Sequence, residues 1–371
     1  MKKITLAGTA LLASTAIATA GGIERTGFTT GILFEEGTYV ELSYGSVSPS
    51  VTGNITGIPA VASGDITPQY NVVTLGYHQD ITDQLSFSLV LDQPVGADVA
   101  YPTGTGYPFA GSFAELTSQQ ITAALRYELP NNVSVYGGLR GVQVDGDVYV
   151  STPLFAYRLN ADTDYELGYM IGAAYERPDI AMRFALTYFS EVDLGLSGTE
   201  GFTLVPGTPP ALVPTAATSF NNTLPQSILL EAQSGIAADT LLFGSIRWTN
   251  WDGYAITPNA YPTPSGNLVD YDEDVWTYSL GVARRLNENW AVSASLGYEA
   301  EQDGFSGNLG PTDGYTSIAL GAEYTQGNIS IAGGVRYIMI GDANTQLGGG
   351  ATSDFYDNDA VAFGLRIGFN F

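Results

Sequence analysis

The feature that constrains this chain most is a strict alternation of apolar residues with small or polar ones, repeated in many short segments. In the last segment the apolar positions are Val361, Phe363, Leu365, Ile367, Phe369 and Phe371, and the residues between them are Ala, Gly, Arg, Gly and Asn. The same pattern recurs at 121–128, 166–176, 182–188 and 317–324. A period of two predicts β-strands whose two faces meet different surroundings.

The composition of the two faces favours a membrane wall over a soluble sandwich. One face is an unbroken apolar row with aromatic residues at its ends, as a lipid-facing surface with interfacial girdles requires. The other face carries glycine, alanine and single Arg or Glu residues. Because strands in a bilayer cannot leave an edge unpaired, the set must close into a barrel.

The spacing of the connections predicts the number of strands. Six connections are short, at 80–84, 129–132, 177–179, 238–239, 286–289 and 325–328. Seven are long, at about 48–65, 95–111, 151–162, 197–223, 252–271, 301–312 and 342–358. This order predicts an all-β fold over residues 37–371, a transmembrane antiparallel β-barrel of fourteen strands, with long loops outside and both termini in the periplasm.

The first residues indicate export to the cell envelope. Lys2 and Lys3 precede an apolar run, and Ala18, Thr19 and Ala20 close it, so residues 1–20 read as a signal peptide. No later window approaches the 18 or more apolar residues of a transmembrane helix. Residues 21–36 precede the first strand, and we expect them to form a short plug in the barrel. The terminal Phe371 resembles the signature that the barrel assembly machinery reads, so that machinery is an expected partner.

Charge and rare residues narrow the function classes. The formal net charge is −25, and beyond residue 20 the chain has no lysine, so nucleic acid is not an expected partner. The single histidine, His78, falls at the short-turn end of its strand, and we expect it to face the lumen there. There is no cysteine, GxSxG, phosphate loop or metal-ligand spacing, and we therefore expect neither enzymatic activity nor a cofactor.

A second set of charges falls on the inward-facing register of the strands. We expect these residues to form a ladder of ion pairs that fills the lumen and holds the plug, because buried charges must be paired. The predicted ladder is Arg126, Glu128, Arg140, Glu176, Arg183, Arg247, Glu323, Arg336 and Arg366. A water-filled porin would show the same pattern, so an ion-paired interior without a transport role stays open.

Uncharged apolar sequence in the long connections favours a hydrophobic ligand. Residues 201–220 contain no charge, and residues 107–113 are similar. Exposed apolar segments of this length either pack together as a cap or hold a ligand. The predicted ligand-binding residues are Phe109, Phe113, Phe155, Phe202, Leu204, Val205, Leu212, Val213 and Phe220.

Acidic residues cluster near strand ends on the long-loop side, at 270–274 and 354–359. They could bind divalent cations that bridge lipopolysaccharide phosphates, or form a solvated rim. Their spacing matches no calcium loop, and we assign no metal site.

Several segments resemble the outer-membrane long-chain fatty acid transporters, the FadL/TodX type. Leu224, Pro225, Gln226 and Ser227 open one strand, and Arg247, Trp248, Thr249, Asn250 and Trp251 close the next, as in that family. The segments 277–290 and 167–178 are also similar to it. The family's helical hatch with an Asn-Pro-Ala motif has no counterpart in residues 21–36, so the resemblance implies a shortened hatch.

The combined prediction is a monomeric passive transporter in the bacterial outer membrane, surrounded by its lipid and lipopolysaccharide. It would carry long-chain fatty acids or other hydrophobic small molecules. A non-selective aqueous porin and a structural surface barrel are the alternatives. Pro94 and Gly96 follow the third strand, where proline removes a hydrogen-bond donor and glycine permits a bend. Similar sequence in the family marks a strand that kinks inward, so these two residues are the predicted lateral gate.

Overall fold

The alternating segments form strands in the structure, a computed structural model that describes residues 23–26, 30–262, 267–302, 304–348 and 351–371. The predicted signal peptide, 1–20, lies outside the described residues, as do residues 21, 22 and 27–29 of the predicted plug. The strands within the described ranges are β1 Thr38–Ser50, β2 Asn54–Ile55, β3 Ile58–Ala62, β4 Tyr70–Asp80, β5 Leu85–Asp92, β6 Ala97–Ala100, β7 Phe113–Leu129, β8 Val133–Ser151, β9 Ala156–Asp162, β10 Glu166–Arg177, β11 Met182–Phe189, β12 Val192–Thr203, β13 Ala216–Leu224, β14 Ser227–Ala237, β15 Thr240–Thr249, β16 Tyr254–Ile256, β17 Val269–Tyr271, β18 Val275–Arg285, β19 Trp290–Glu299, β20 Tyr315–Gln326, β21 Ile329–Ile340, β22 Ala343–Gly348, β23 Ala351–Phe355 and β24 Asp359–Asn370.

Fourteen of these strands pair antiparallel in a closed ring, which confirms the predicted barrel. In order around the wall they are β1, β4, β5, β7, β8, β10, β11, β14, β15, β18, β19, β20, β21 and β24. The ring closes between β1 and β24, where Tyr39 lies opposite Asn370 and Ser50 opposite Asp359. Strand β1 therefore begins, and strand β24 ends, at the same end of the barrel. This is the end that carries the short turns.

The short turns use the backbone conformations that tight hairpins need. Asn131 and Asn132, between β7 and β8, have φ values of 74° and 63°, which asparagine tolerates better than most residues. Asp239, between β14 and β15, has a φ of 56°. No helix in the described ranges is long and apolar enough to cross a membrane.

The outer face of the wall is apolar and exposed. Leu139 on β8, Leu167 on β10 and Leu320 on β20 are 63%, 72% and 57% exposed. Aromatic pairs flank this band: Trp290 lies 5.0 Å from Tyr324 near the short turns, and Tyr278 lies 6.4 Å from Tyr298 at the other end. This is the surface that a bilayer covers, with aromatic rings at the interfaces.

Several strands continue past the apolar band on the long-loop side. Strand β9 pairs with the upper part of β8, and β12 pairs with both β9 and β13. Residues 201–203 and 216–220, expected as part of a loop, therefore lie on strands β12 and β13, and residues 204–215 connect these strands. Strand pairing continues past the apolar band because backbone hydrogen bonds form whether the outward-facing side chains are polar or apolar. A sheet of β22, β23, β2 and β3 and the pair β16–β17 cover the same end.

The lumen contains two apolar layers. The layer near the short turns includes Ile32, Leu33 and Phe34, from a 3-10 helix at Thr30–Phe34, packed with Tyr136 and Met170. The layer near the long loops joins strand residues to the covering loops, and includes Ile23, Val95, Tyr157, Leu196 and Trp251. Between the described N-terminal residues and the wall there is consequently extensive apolar packing.

Candidate functional site

The described N-terminal residues are bound to the wall at several heights. Near the short turns, the Phe34 ring lies under two guanidinium groups, with its centroid 4.6 Å from Arg126 and 4.3 Å from Arg183. Higher up, the Thr30 N–H donates to Glu231 over 3.1 Å, and Glu24 pairs with Arg247 at 3.1 Å. These contacts fix residues 23–26 and 30–36 inside the barrel.

The structure brings most of the predicted charge ladder into ion pairs or cation–π contacts. Arg126 pairs with Glu176 and, at 2.8 Å, with Glu128. Arg366 lies 3.7 Å from Glu41 and 3.9 Å from Glu323. The remaining members have other neighbours: Arg140 donates to Gln120 over 2.9 Å, Arg183 covers Phe34, and Arg336 lies against Gly297.

Glu35 lies next to this charged layer, on the N-terminal segment rather than on a strand. Burial raises the pKa of Glu35 to about 7, Arg366 opposes that shift, and Glu41 adds to it. The carboxyl group is therefore partly protonated near neutral pH.

The predicted gate coincides with a break in the third wall strand. Strand β5 ends at Asp92, and the chain resumes as β6 at Ala97. Pairing between β4 and β5 stops at Leu75 opposite Leu91, and β6 pairs with β7 and not with β4 in the described part of the chain. A gap therefore separates the upper part of β4 from β6.

At this break the chain pairs with the N-terminal segment instead of with β4. The Arg25 N–H donates to the Pro94 carbonyl over 2.9 Å, and the Gly96 N–H donates to the Ile23 carbonyl over 2.8 Å. A Cβ atom at Gly96 would lie 2.8 Å from Cγ of Arg25 and 2.9 Å from the Leu116 carbonyl. Glycine is thus the residue that lets the N-terminal segment approach the kink.

The Arg25 side chain joins the two sides of the gap. Its Nη2 lies 2.5 Å from Oδ2 of Asp98 on β6, and its guanidinium lies 3.5 Å from the ring centroid of Tyr70 on β4. Arg25 is 7% exposed, and its Nη1 has no hydrogen-bond partner among the described residues. We call residues 23–25 together with Pro94, Gly96, Asp98 and Tyr70 the latch.

Two cavities lie on either side of the latch. The first, of about 80 Å³, is almost wholly apolar and lies under the long loops against β7, β8, β9 and β12. The second, of about 120 Å³, lies between the latch and strands β1, β4, β20 and β21. The residues common to both linings are Ile23, Ala97, Tyr271, Leu309 and Gly310. The two cavities therefore share one partition beside the gap.

The nine predicted ligand-binding residues do not gather in one place. Phe220 lines the first cavity, and Phe109 and Phe155 are buried in the upper apolar layer. Phe113 packs with Val213 against Tyr149 in a separate small cluster. The other four project from the β12–β13 hairpin, with exposures of 42% for Phe202, 74% for Leu204, 63% for Val205 and 70% for Leu212.

Sequence reasoning missed most of the cavity lining. Tyr271 lies in the acidic cluster at 270–274, for which the sequence predicts a cation site or a solvated rim. Leu309 lies in a loop without any motif. Both meet Ile23 only because distant loops fold over the lumen, and no local signal reports such a contact.

Of the other chemical candidates, Asp270 of the acidic cluster at 270–274 lines the first cavity, and His78 lies away from both cavities. His78 is fully buried near the short turns, with Nδ1 2.9 Å from Ser88 Oγ. No group of three or more His, Asp or Glu side chains in the described residues could hold a metal ion.

Comparison with known proteins identifies the architecture. The chain superposes on a Pseudomonas aeruginosa FadL homologue with a TM-score of 0.79 at 16% identity, covering 98% of each chain. It superposes on the Pseudomonas putida toluene transporter TodX with a TM-score of 0.67 at 13% identity, covering 92% of each. The CymD monoaromatic hydrocarbon channel gives 0.64 at 13% identity, covering 98% of this chain and 97% of that one.

At these identities the superpositions establish the fold alone. Comparison with curated protein sequences gives no match. The family model described as outer membrane protein transport protein (OMPP1/FadL/TodX) matches residues 23–371, nearly the whole chain. The chain therefore belongs to the OMPP1/FadL/TodX family of outer-membrane transport proteins.

Proposed function

We propose that this protein carries small hydrophobic molecules passively across the outer membrane, through the two cavities and out sideways at the latch. The observation that supports this most is the position of the cavities: they share a partition at the break between β4 and β6. An apolar molecule gains nothing by passing into periplasmic water, whereas the bilayer is a favourable destination.

The filled lower lumen argues against a non-selective aqueous pore. Ile32, Leu33 and Phe34 are 3%, 1% and 9% exposed, and they pack against the wall below the latch. A continuous water path would have to pass this layer. The described residues 23–26 and 30–36 thus act as a short plug in this proposal, and the lateral route bypasses them.

The size of the cavities favours substrates no larger than a substituted benzene. An engineered protein cavity of about 150 Å³ holds benzene, whereas drug-sized ligands use pockets of about 300–1,000 Å³. The two cavities, of about 80 and 120 Å³, fall together near the lower figure. The toluene transporter and monoaromatic hydrocarbon channel with the same fold are named for substrates of this size.

A long-chain fatty acid is the second candidate, and Arg25 is the observation that favours it. Its buried Nη1 has no partner within the described residues and lies on the lining of the second cavity. A carboxylate could accept a charge-assisted hydrogen bond there, while the alkyl chain would have to widen the apolar cavity.

The remaining parts of the proposal concern the setting. We infer that the long-loop end faces outwards and that both termini lie in the periplasm. The start of β1, the end of β24 and the short turns share one end of the barrel, which supports this inference. We infer a monomer that is inserted by the barrel assembly machinery, is surrounded by lipid and lipopolysaccharide, and has no catalytic role.

Uptake by cells that have no other route for hydrophobic compounds tests the proposal. Cells producing the protein should take up labelled toluene faster than cells without it, and unlabelled toluene should compete. Competition by oleate would favour the fatty acid candidate. Steady conductance in planar bilayers without saturable uptake would instead establish an aqueous pore.

A further inference from the structure

The partition between the two cavities brings together parts of the chain that are far apart in sequence. Its three large side chains are those of Ile23 from the N-terminal segment, Tyr271 from β17 and Leu309 from the loop between β19 and β20, and each lines both cavities. None of the three belongs to the fourteen wall strands. The packing of the loops and the N-terminal segment therefore determines how far the two cavities are separated.

Tyr271 is held in place by an aromatic cluster. Its ring centroid lies 5.2 Å from that of Trp251 and 5.8 Å from that of Tyr254. Its carbonyl accepts a hydrogen bond from the Gly253 N–H over 3.1 Å. Trp251 and Tyr254 are both buried, so the tyrosine ring of the partition rests on a packed surface.

Leu309 is held in place through its neighbour, Asn308. The Tyr101 hydroxyl donates to the Asn308 carbonyl over 2.6 Å, and the Asn308 side-chain amide donates to the Gln346 carbonyl on β22 over 2.8 Å. Leu309 itself is buried. The sheet at the long-loop end thus fixes the loop that carries this leucine.

Each cavity is too small to hold more than one ring. Their volumes are about 80 and 120 Å³, whereas an engineered cavity that holds benzene has roughly 150 Å³. A substrate with a substituent of several carbon atoms must therefore extend from one cavity into the other, past the partition. A change in a partition side chain should alter the length of substrate that fits, whereas a change elsewhere in the lining alters the volume of one cavity.

The two cavities also differ in charge, which orients a substrate. The charged residues on the first lining are Glu115 and Asp270, and the rest of that lining is almost wholly apolar. The second lining carries Glu24, Arg25 and Asp98 within a smaller apolar share. An apolar ring is therefore more stable in the first cavity, and an alkyl chain that crosses the partition meets charged groups whose desolvation is unfavourable.

We propose that the partition is a size filter, and that Leu309 sets the length of the substituent that an aromatic substrate can carry. This inference rests on the proposed transport function and deepens it. The substrates are single-ring compounds with short substituents, and the filter rejects those with long alkyl chains.

Two variants should move the length limit in opposite directions. Leu309→Ala shortens a partition side chain, so longer substituents should fit. Gly310→Val adds bulk at a position that lines both cavities, where a new Cβ atom meets no heavy atom within 4 Å, and it keeps Leu309 in place. Leu268→Ala is the matched control, because Leu268 is buried and, in the described part of the chain, lines the first cavity but not the second.

Uptake of labelled toluene and labelled n-hexylbenzene is measured in cells producing each full-length variant. We expect Leu309→Ala to raise hexylbenzene uptake relative to toluene uptake by about tenfold, the low end of the discrimination for one methylene group in an apolar pocket. Gly310→Val should lower this ratio, and Leu268→Ala should leave it unchanged. Normal heat-modifiable migration on gels checks that each barrel has assembled.

Several results would overturn the filter while leaving the transport function intact. They are an unchanged ratio in Leu309→Ala and Gly310→Val, a shift of the same sign in both, an equal shift in Leu268→Ala, and wild-type uptake of hexylbenzene as fast as that of toluene. A shift of the same sign would trace the effect to a loosened loop. Absence of toluene uptake by the wild type would instead overturn the transport function.

Discussion

Arg25→Met is the change that tests the latch most sharply, since methionine keeps an unbranched side chain and removes the charge. Arg25 contacts Asp98 at 2.5 Å and the Tyr70 ring at 3.5 Å, so its guanidinium joins β6 to β4 through the N-terminal segment. The backbone hydrogen bonds to Pro94 and Gly96 do not depend on the side chain. The variant should therefore loosen the latch without unfolding the barrel.

The size of the effect follows from those two contacts. About 1.5 kcal/mol is the low end of the range for a hydrogen bond to a charged group. We use this value for the Arg25–Asp98 pair because the carboxylate is 28% exposed and solvent weakens the interaction. A partly buried cation–π contact contributes about 1 kcal/mol. Their loss, about 2 to 3 kcal/mol, raises the equilibrium constant for release of the segment by about 30- to 150-fold.

Limited proteolysis of the N-terminal segment and uptake of labelled toluene measure this together. The variant should be cleaved faster and should transport faster, because residue 23 is part of the partition between the cavities and the gap. Arg177→Met, which removes an exposed Arg–Asp pair of 2.7 Å at a short turn, is the matched control and should change neither. Faster cleavage with unaltered or slower uptake would refute the role of the latch in release.

Three further predictions concern the gate, the capture surface and pH. Replacing Pro94 and Gly96 together by Val should let the third strand continue its pairing and lower uptake while heat-modifiable migration on gels stays normal; wild-type uptake would move the gate elsewhere. Serine at three exposed hairpin positions should slow ligand capture but leave equilibrium affinity, whereas Phe220→Ser in the cavity lining should weaken affinity; the reverse result would place the binding site on the hairpin. The three exposed positions are Phe202, Leu204 and Val205. Because burial raises the pKa of Glu35 to about 7 in the folded protein, the protonated carboxyl group stabilises the docked segment at low pH, and that stability is lost as the pH rises from about 4.5 to 7. Thermal unfolding should show this pH dependence, and Glu35→Gln should remove it. An equal pH dependence in the variant would exclude Glu35 as its cause.

The barrel itself was predictable because its two determinants are local. Alternation over each strand fixes which face meets lipid, and turn residues such as Asn131 and Asn132 fix where strands end. The strand count followed from counting turns. The sequence predicts longer loops than the structure has, because the aromatic girdle marks the end of the apolar band while strand pairing continues beyond it in β9, β12 and β13.

The candidate site was predictable only where backbone chemistry marks it. Proline and glycine at 94 and 96 indicated a break, but the partner of that break, residues 23–25, is more than sixty positions away and carries no motif. Cavity linings such as Leu309 depend on how distant loops meet, which alternation does not determine.

The most direct test of the whole account is to locate a heavy-atom-labelled substrate inside the protein. Crystals soaked with 4-bromotoluene should show anomalous bromine signal in the space bounded by Ile23, Tyr271 and Leu309, beside the break between β4 and β6. Bromine found only on the exposed hairpin or outside the barrel, with that space empty at saturating ligand, would contradict transport through the lumen.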